Sequence, residues 1–323
     1  ADIILGTSSA NILNGNDGDD DIDGRGGNDT IDGGDGGDTI DGGSGIDSII
    51  GGLGDDSLHG GGTFDDTILG GAGNDTLLAV GGGTIDGGAD NDLFLTLVGN
   101  VMGDTDTLDA DLFNGGSGID TFSGENETFH NLIIDLSAGT VAFNGEEHRA
   151  VQITGFEHFI GTAQGDFIDL NGLNPATIEG GAGNDTLLGG TNFQSIMGGD
   201  GDDSIDGGFY QGSGVGDLLF GDAGDDTIIG ADGFDSVDGG ADNDSITTNA
   251  GNDSIDAGDG DDWVDAGDDD DTVDGGAGAD LIRGGTGRDS LVGDLGEDTI
   301  NAGGGADTIW GGNNSDTLRG EDG

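Results

Sequence analysis

The chain has 323 residues, 77 of them Gly, with no Cys and no Lys, and 68 acidic residues against five Arg give a net charge of −63. Nothing here could neutralise phosphates, which disfavours nucleic acid as a partner, and no run approaches the roughly 20 apolar residues of a membrane helix. Without Cys no disulfide can staple the fold, and low hydrophobicity with one-signed charge is the composition of a disordered acidic chain unless the acids stand in phase.

They do stand in phase. No secretory signal opens the chain; after Ala1 to Leu5, the nonapeptide GTSSANILN (6–14) has an apolar eighth residue, Leu13, but Asn11 at its sixth position, as expected of a first, capping coil. From Gly15 a nine-residue unit recurs with Asp sixth and an apolar residue eighth: Asp20, Asp29, Asp38, Asp47 and Asp56, then, after the inserted Gly60, Asp66 and Asp75. Residues 79–86 are one short of a unit and lack the acid, so a site should be missing or distorted there. Asp92 belongs to GGADNDLFL; residues 96–114 are off phase, and 115–123 restore the unit around Asp120.

Between 124 and 160 the period is lost. Segments 129–136, 140–143 and 148–154 read as longer strands, with turn signals at Ser137-Ala138-Gly139 and Asn144-Gly145. A zinc site can be drawn from His130, His148 and His158 with Glu146, Glu147 or Glu157, but no tight H-x-x-x-H spacing occurs, and surface or sheet-edge His in a hairpin is the better reading. GTAQGDFID (161–169) echoes the opening unit, as if the repeat were capped and restarted. Asp185 follows, then GGTNFQSIM puts Gln194 where the acid belongs; Asp203 restores the pattern before an insertion at 207–211 that carries Phe209 and Tyr210, and Asp217 follows.

From 221 to 319 the unit repeats eleven times without a break, with Asp226, Asp235, Asp244, Asp253, Asp262, Asp271, Asp280, Asp289, Asp298, Asp307 and Asp316 at position six. Position eight is a branched aliphatic every time, from Ile228 to Leu318, and across the chain 23 units pair a sixth-position Asp with an apolar eighth residue. One apolar beat in nine cannot draw an amphipathic helix, whose stripe needs spacings of three and four. It suits a three-residue strand followed by a six-residue Gly/Asp turn, two units making one coil with strands stacked about 4.8 Å apart.

This pattern, G-G-x-G-x-D-x-U-x, resembles the hemolysin-type, or RTX, calcium-binding repeat. The resemblance implies an all-β fold: a parallel β-roll (β-helix) solenoid of calcium-binding nonapeptide repeats with a non-repeat β insertion. Its expected divisions are a first block at 1–123, the insertion at 124–160, and a second block at 161–323. Gly at positions one, two and four is expected to allow positive φ in the turn. Asp at six offers a hard anionic oxygen, and Ca²⁺ takes six to eight oxygens. The implied ligands are the 23 sixth-position Asp residues named above, with many ions, roughly one per intact gap between turns. About twenty divalent ions would cancel about 40 of the negative charges.

The expected function follows from that count. One inward aliphatic in nine residues buries little apolar surface, so ion binding to the folded state has to supply much of the stability, at extracellular rather than cytosolic calcium levels. Carboxylate pairs are explained by metal ligation, there is no Cys or Lys nucleophile, and no His is in phase to activate a Ser; no active site is assigned and the protein is read as no enzyme. The outward positions seven and nine should form two lateral faces, one a hydroxyl ladder of Ser236, Ser254, Thr272, Ser290 and Thr308, the other carrying Trp263, Leu281, Ile229 and Arg283. The reading is a secreted, cell-surface structural protein of surface-layer or matrix type that self-associates or joins other matrix components. The alternative is the secretion and folding tail of an RTX enzyme, toxin or adhesin. Ala1 is not a start residue and Gly323 falls four residues into a new unit, so more turns are expected.

Overall fold

Position eight is the inward position. In a strand successive side chains point to opposite faces, so an x-U-x strand turns one aliphatic into the core and two residues outward. The computed structural model describes residues 1–62, 65–79, 83–96, 112–124, 132–135, 140–143, 152–170, 176–208 and 215–321, and among these there is no helix. Two units are resolved, Ala1–Thr162 and Ala163–Gly323, each a parallel β-solenoid.

In the first unit one sheet stacks Ile3–Leu5, Asp21–Asp23, Thr39–Asp41, Ser57–His59, Thr76–Ala79, Leu93–Thr96, Thr121–Ser123 and His158–Ile160, in that order. The other stacks Ile12–Asp17, Thr30–Asp35, Ser48–Leu53, Asp66–Ala72, Gly83–Ala89, Leu112–Ser117 and Gln152–Thr154. Like positions stand opposite each other: Ile22 faces Ile4 and Ile40, and Ile31 faces Leu13 and Ile49. Leu132–Asp135 and Thr140–Phe143 form an antiparallel hairpin, as the strand signals there anticipate. The parallel ladder nonetheless takes in Gln152–Thr154 and His158–Ile160, which period counting places in the insertion. The reason is visible in QITGFEHFI (152–160): Phe159 fills position eight, and only the Gly and Asp positions are degraded.

In the second unit one sheet runs from Ala176–Ala182 through Gln194–Asp200, Leu218–Ala223, Ser236–Ala241, Ser254–Asp259, Thr272–Asp274 and Ser290–Val292 to Thr308–Trp310. The other runs from Phe167–Asp169 through Thr186–Leu188, Ser204–Asp206, Thr227–Ile229, Ser245–Thr247, Trp263–Asp268, Leu281–Gly287 and Thr299–Gly305 to Thr317–Arg319. The hydroxyl ladder forms as expected, Ser236, Ser254, Thr272, Ser290 and Thr308 standing on successive rungs. Trp263 and Leu281 are adjacent on the other sheet, with Ile229 and Arg283 in its position-nine column. Phe209, Tyr210 and Pro175 lie outside the described residues.

The core is a column of the inward residues: Ile31, Ile49, Leu77, Leu187, Ile228 and Val264 are all fully buried. Each contributes about 1.5–3 kcal/mol of transfer free energy. Where the repeat degrades, aromatics widen the column. Phe94, Phe113, Phe122, Phe156 and Phe159 are buried, with Phe156 edge-on to Phe94 at 4.7 Å and to Phe122 at 5.7 Å.

The turn glycines serve two different purposes. At positions two and four φ is positive, as at Gly34 (111°) and Gly36 (134°), and where Gly is absent the residue is mostly Asn or Asp, as at Asn249 (70°) and Asp242 (77°). Those side chains tolerate the left-handed region best after Gly. Position one does not share this conformation, contrary to the expectation that all three glycines serve positive φ. Its Cα is instead approached by oxygens: a Cβ built on Gly15 would meet the Asp20 Oδ2 at 2.5 Å and the Gly33 carbonyl oxygen at 2.3 Å. Ala257, Ala266, Ala302 and Thr248 hold the position in four units, all fully buried.

Candidate metal centres

Each six-residue turn ends on the position-six Asp, just before the strand begins, and the stacking of strands places these residues one above another along the solenoid edges. All 23 predicted Asp residues fall into four rows. In the first unit one row runs Asp20, Asp38, Asp56, Asp75, Asp92, Asp120, and the other Asp29, Asp47, Asp66. In the second unit one runs Asp185, Asp203, Asp226, Asp244, Asp262, Asp280, Asp298, Asp316. The other runs Asp217, Asp235, Asp253, Asp271, Asp289, Asp307.

One bond recurs in every row. The backbone N–H of each position-six residue donates to the Oδ1 of the position-six Asp one coil later, as from Asp38 to Asp56 at 2.7 Å and from Asp244 to Asp262 at 2.8 Å. The carboxylate therefore does what a carbonyl would do in a strand ladder, and its Oδ1 is spoken for. The Oδ2 is not. At twenty of the 23 positions this oxygen is buried and has no hydrogen-bond partner; at Asp235 it accepts the Ala231 N–H at 3.0 Å. Buried anionic oxygens without partners are costly, and a row of them is a row of vacant acceptors.

Burial is the leading reason that the following carboxyls of the rows titrate above the ordinary value of 3.8. Asp75, Asp203, Asp253 and Asp262 are pushed to about 6. Asp56, Asp66, Asp92, Asp185, Asp217, Asp226, Asp244 and Asp280 reach about 7, and Asp271 about 8. The N–H bond on Oδ1 opposes the shift and neighbouring carboxylates add to it, as Asp253 and Asp289 do at Asp271. A proton can relieve this strain at each Oδ2, and so can a cation.

Members of the rows also lie outside the predicted set: Asp2 and Asn11 head the first unit's two rows, their N–H groups donating to Asp20 Oδ1 and Asp29 Oδ1, and Asp166 and Glu157 are further members. The Asp166 N–H donates to Asp185 Oδ1 at 2.7 Å, which makes Asp166 the first residue of that row. Counting six from Gly161 in GTAQGDFID finds it. Glu157 continues the first unit's longer row, its Oε2 accepting the Asp120 N–H at 3.1 Å; its signal is the H-F-I strand that follows. Gln194 holds its predicted place: its N–H donates to Asp217 Oδ1 at 2.6 Å, while its buried Oε1 lacks a partner like the Oδ2 atoms. Opposite Asp66 the short unit 79–86 supplies Gly83, so the shorter row of the first unit stops there.

The zinc alternative gains nothing. Glu157 is committed to Asp120, and the His158 Nδ1 lies 3.4 Å from the Thr121 hydroxyl; His130, His148, Glu146 and Glu147 lie outside the described residues. Among the described residues no three His, Cys, Asp or Glu side chains converge as a metal cluster. A cation in these turns has to combine carboxylate with backbone carbonyl oxygens, which selects a hard ion rather than zinc. Such oxygens are at hand: at Gly33 the Asp38 Oδ2 and the Gly51 carbonyl oxygen close on one Cα, a Cβ there meeting them at 2.3 and 2.6 Å. In the inter-coil backbone bonds of the turns the accepting carbonyls belong to positions two, three, six and nine, as with Arg25, Leu53, Asp20 and Asp41, rather than to positions four and five.

A family model for the RTX calcium-binding nonapeptide repeat, four copies long, matches residues 1–31, 32–65, 61–83, 211–246, 238–273, 247–282, 256–291, 274–309 and 292–323, more than half of the chain. No curated protein matches it.

Proposed function

The chain belongs to the RTX calcium-binding nonapeptide repeat family, and from that premise we propose that it is a secreted structural protein, of surface-layer or matrix type, that folds and assembles when calcium fills the turn rows. The observation that carries the calcium half is the row of buried, partnerless Oδ2 atoms. These oxygens, with turn carbonyls from the adjoining coil, would hold the ions. Bound there, Ca²⁺ supplies the positive charge and the coordination that the buried carboxylates lack. The protein's own part is to hold each Oδ1 on the preceding coil's N–H, so that at most turns Oδ2 is left buried and unpaired. The ordered Asp residues thus disfavour the fold while ionised and bare, and favour it once an ion is bound.

The structural half rests on the absence of any second chemistry in the repeats and on charge. At −63 bare molecules repel one another, and each ion that stabilises a turn also removes two charges, so one ligand serves both folding and association. Lateral faces such as the Ser236 to Thr308 ladder are then brought together with less repulsion. The test is particle size against free calcium, by light scattering and electron microscopy, on native material. Sheets or filaments that dissolve in chelator support the reading. A strictly monomeric calcium-loaded particle, or a gene that encodes a catalytic or toxin domain ahead of this segment, assigns it instead to the folding tail of a larger RTX protein.

A further inference from the structure

Position five is unspecified in the repeat, yet in this chain it is often Asn or Asp, and the structure gives those side chains one job. The side-chain Oδ1 at position five accepts the backbone N–H of position five one coil later: Asp202 from Asp225 at 3.1 Å, Asp225 from Asn243 at 2.8 Å, Asn243 from Asp261 at 2.8 Å and Asp261 from Ala279 at 2.8 Å. The bond also occurs at Asp19, Asn28, Asp55, Asn74, Asn91, Asn184, Asn252 and Asp270. It is absent from described coils whose fifth residue is Gly, Ile, Phe or Ala, which have no oxygen to offer.

The direction of this bond is the informative part. At position six the N–H points toward the later coil; at position five it points toward the earlier one. Consecutive N–H groups pointing to opposite neighbours are what an extended strand presents, so side-chain oxygens carry the ladder through the turn where carbonyls do not. Each turn is thereby clamped to both neighbours at adjacent residues, and only one of the two clamps uses a carboxylate with a buried free oxygen. We propose that the position-five Asn and Asp residues are positioning residues, an exposed second zipper that sets the spacing of successive turns and so pre-forms the cation sites without ligating the ions.

The calcium part of this inference rests on the function proposed above; the zipper itself does not. It also has an end. Ala279 closes one column and Arg288, which donates to Asp270 through its backbone N–H at 2.9 Å and its guanidinium at 2.8 Å, closes the other. Beyond them Glu297, Ala306 and Ser315 form no such bond among the described residues, and the last turns keep their backbone bonds and the position-six rows without the second zipper.

The experiment uses three exposed substitutions in the full chain. Asp261→Ala removes the acceptor, Asp261→Asn keeps it while removing the charge, and Ala279→Asn adds an acceptor for the Glu297 N–H. With one solvent-exposed hydrogen bond to a carboxylate at stake, Asp261→Ala should raise the calcium midpoint of folding by about two- to fivefold and speed exchange of the Ala279 amide by a similar factor. Asp261→Asn should leave both near the parent values, and Ala279→Asn should lower the midpoint. If Asp261→Asn shifts the midpoint as far as Asp261→Ala, charge and not the zipper is responsible; if the Ala279 amide exchanges no faster in Asp261→Ala, the bond does not exist. Should calcium fail to fold the chain at all, the functional reading falls, while amide exchange under whatever condition folds the chain still judges the zipper.

Discussion

Asp262→Asn should move the metal-free and the calcium-loaded protein in opposite directions. The Asp262 Oδ1 accepts the Asp244 N–H at 2.8 Å, its own N–H donates to Asp280 Oδ1 at 3.0 Å, and its Oδ2 is buried without a partner. An amide keeps the first bond, reduced from a charged to a neutral acceptor, at a loss of about 1 kcal/mol. It also removes the buried charge. Burial raises this carboxyl from 3.8 to about 6, so at neutral pH ionised Asp262 costs the bare fold roughly 1–3 kcal/mol once solvent screening is allowed for. The bare variant should therefore be no less stable than the parent, and up to about 2 kcal/mol more so. With calcium the sign reverses, because affinity follows the number of anionic ligands and a loss of about tenfold, ~1.4 kcal/mol, is expected for an ion that loses one. The assay is far-UV circular dichroism, first against free calcium, then in chelator with a stabilising osmolyte at pH 7.5, and again at pH 5, where the folded parent's carboxyl is largely protonated and the chelator difference should narrow, to close only below the 3.8 of the free carboxyl. A variant that loses β structure equally in chelator and in calcium would show that Asp262 is a hydrogen-bonding part only and would refute the reasoning.

Acid should substitute in part for calcium. The folded-state values of about 6 to 8 at Asp56, Asp203 and Asp271 stand above the 3.8 of the free carboxyl, so their contribution to the bare fold is fully present below pH 3.8 and lost as pH rises through 6 to 8; in chelator, β structure should grow as pH falls from 8 toward 4, while with limiting calcium the same protons should raise the calcium midpoint, and a metal-free chain with unchanged circular dichroism over that range would contradict the burial argument. Asp185→Ala should cost about as much calcium affinity as Asp262→Ala, although its neighbours in sequence are degenerate: its row neighbours are Asp166 and Asp203, bonded at 2.7 and 2.8 Å, and parallel calcium titrations in which Asp185→Ala shifts the midpoint tenfold less would show that sequence neighbours matter more than row neighbours.

The nine-residue period alone determines most of this protein. A phased aliphatic at position eight can only be an inward strand residue, as Ile31, Ile228 and Val264 are, and a phased Asp at position six can only stack on its counterpart two units away. Both conclusions follow from local geometry, since strands alternate their faces every residue and two units close one coil. What the tertiary structure decided is which residues become neighbours where the spacing is irregular. Asp92 reaches Asp120 across 28 residues, Asp120 reaches Glu157 across 37, and Gln194 reaches Asp217 across 23. The strands on either side of each irregular stretch still pair in register, because a parallel strand pair constrains its partners in space and sets no limit on the number of residues between them. For the same reason the degenerate Gln194 turn is not beside Asp185, since alternate units belong to opposite edges. The direction of the hydrogen bonds was equally out of reach of the period: that position six points forward along the stack and position five backward depends on how the peptide planes sit in the folded turn, and no count along the chain contains it.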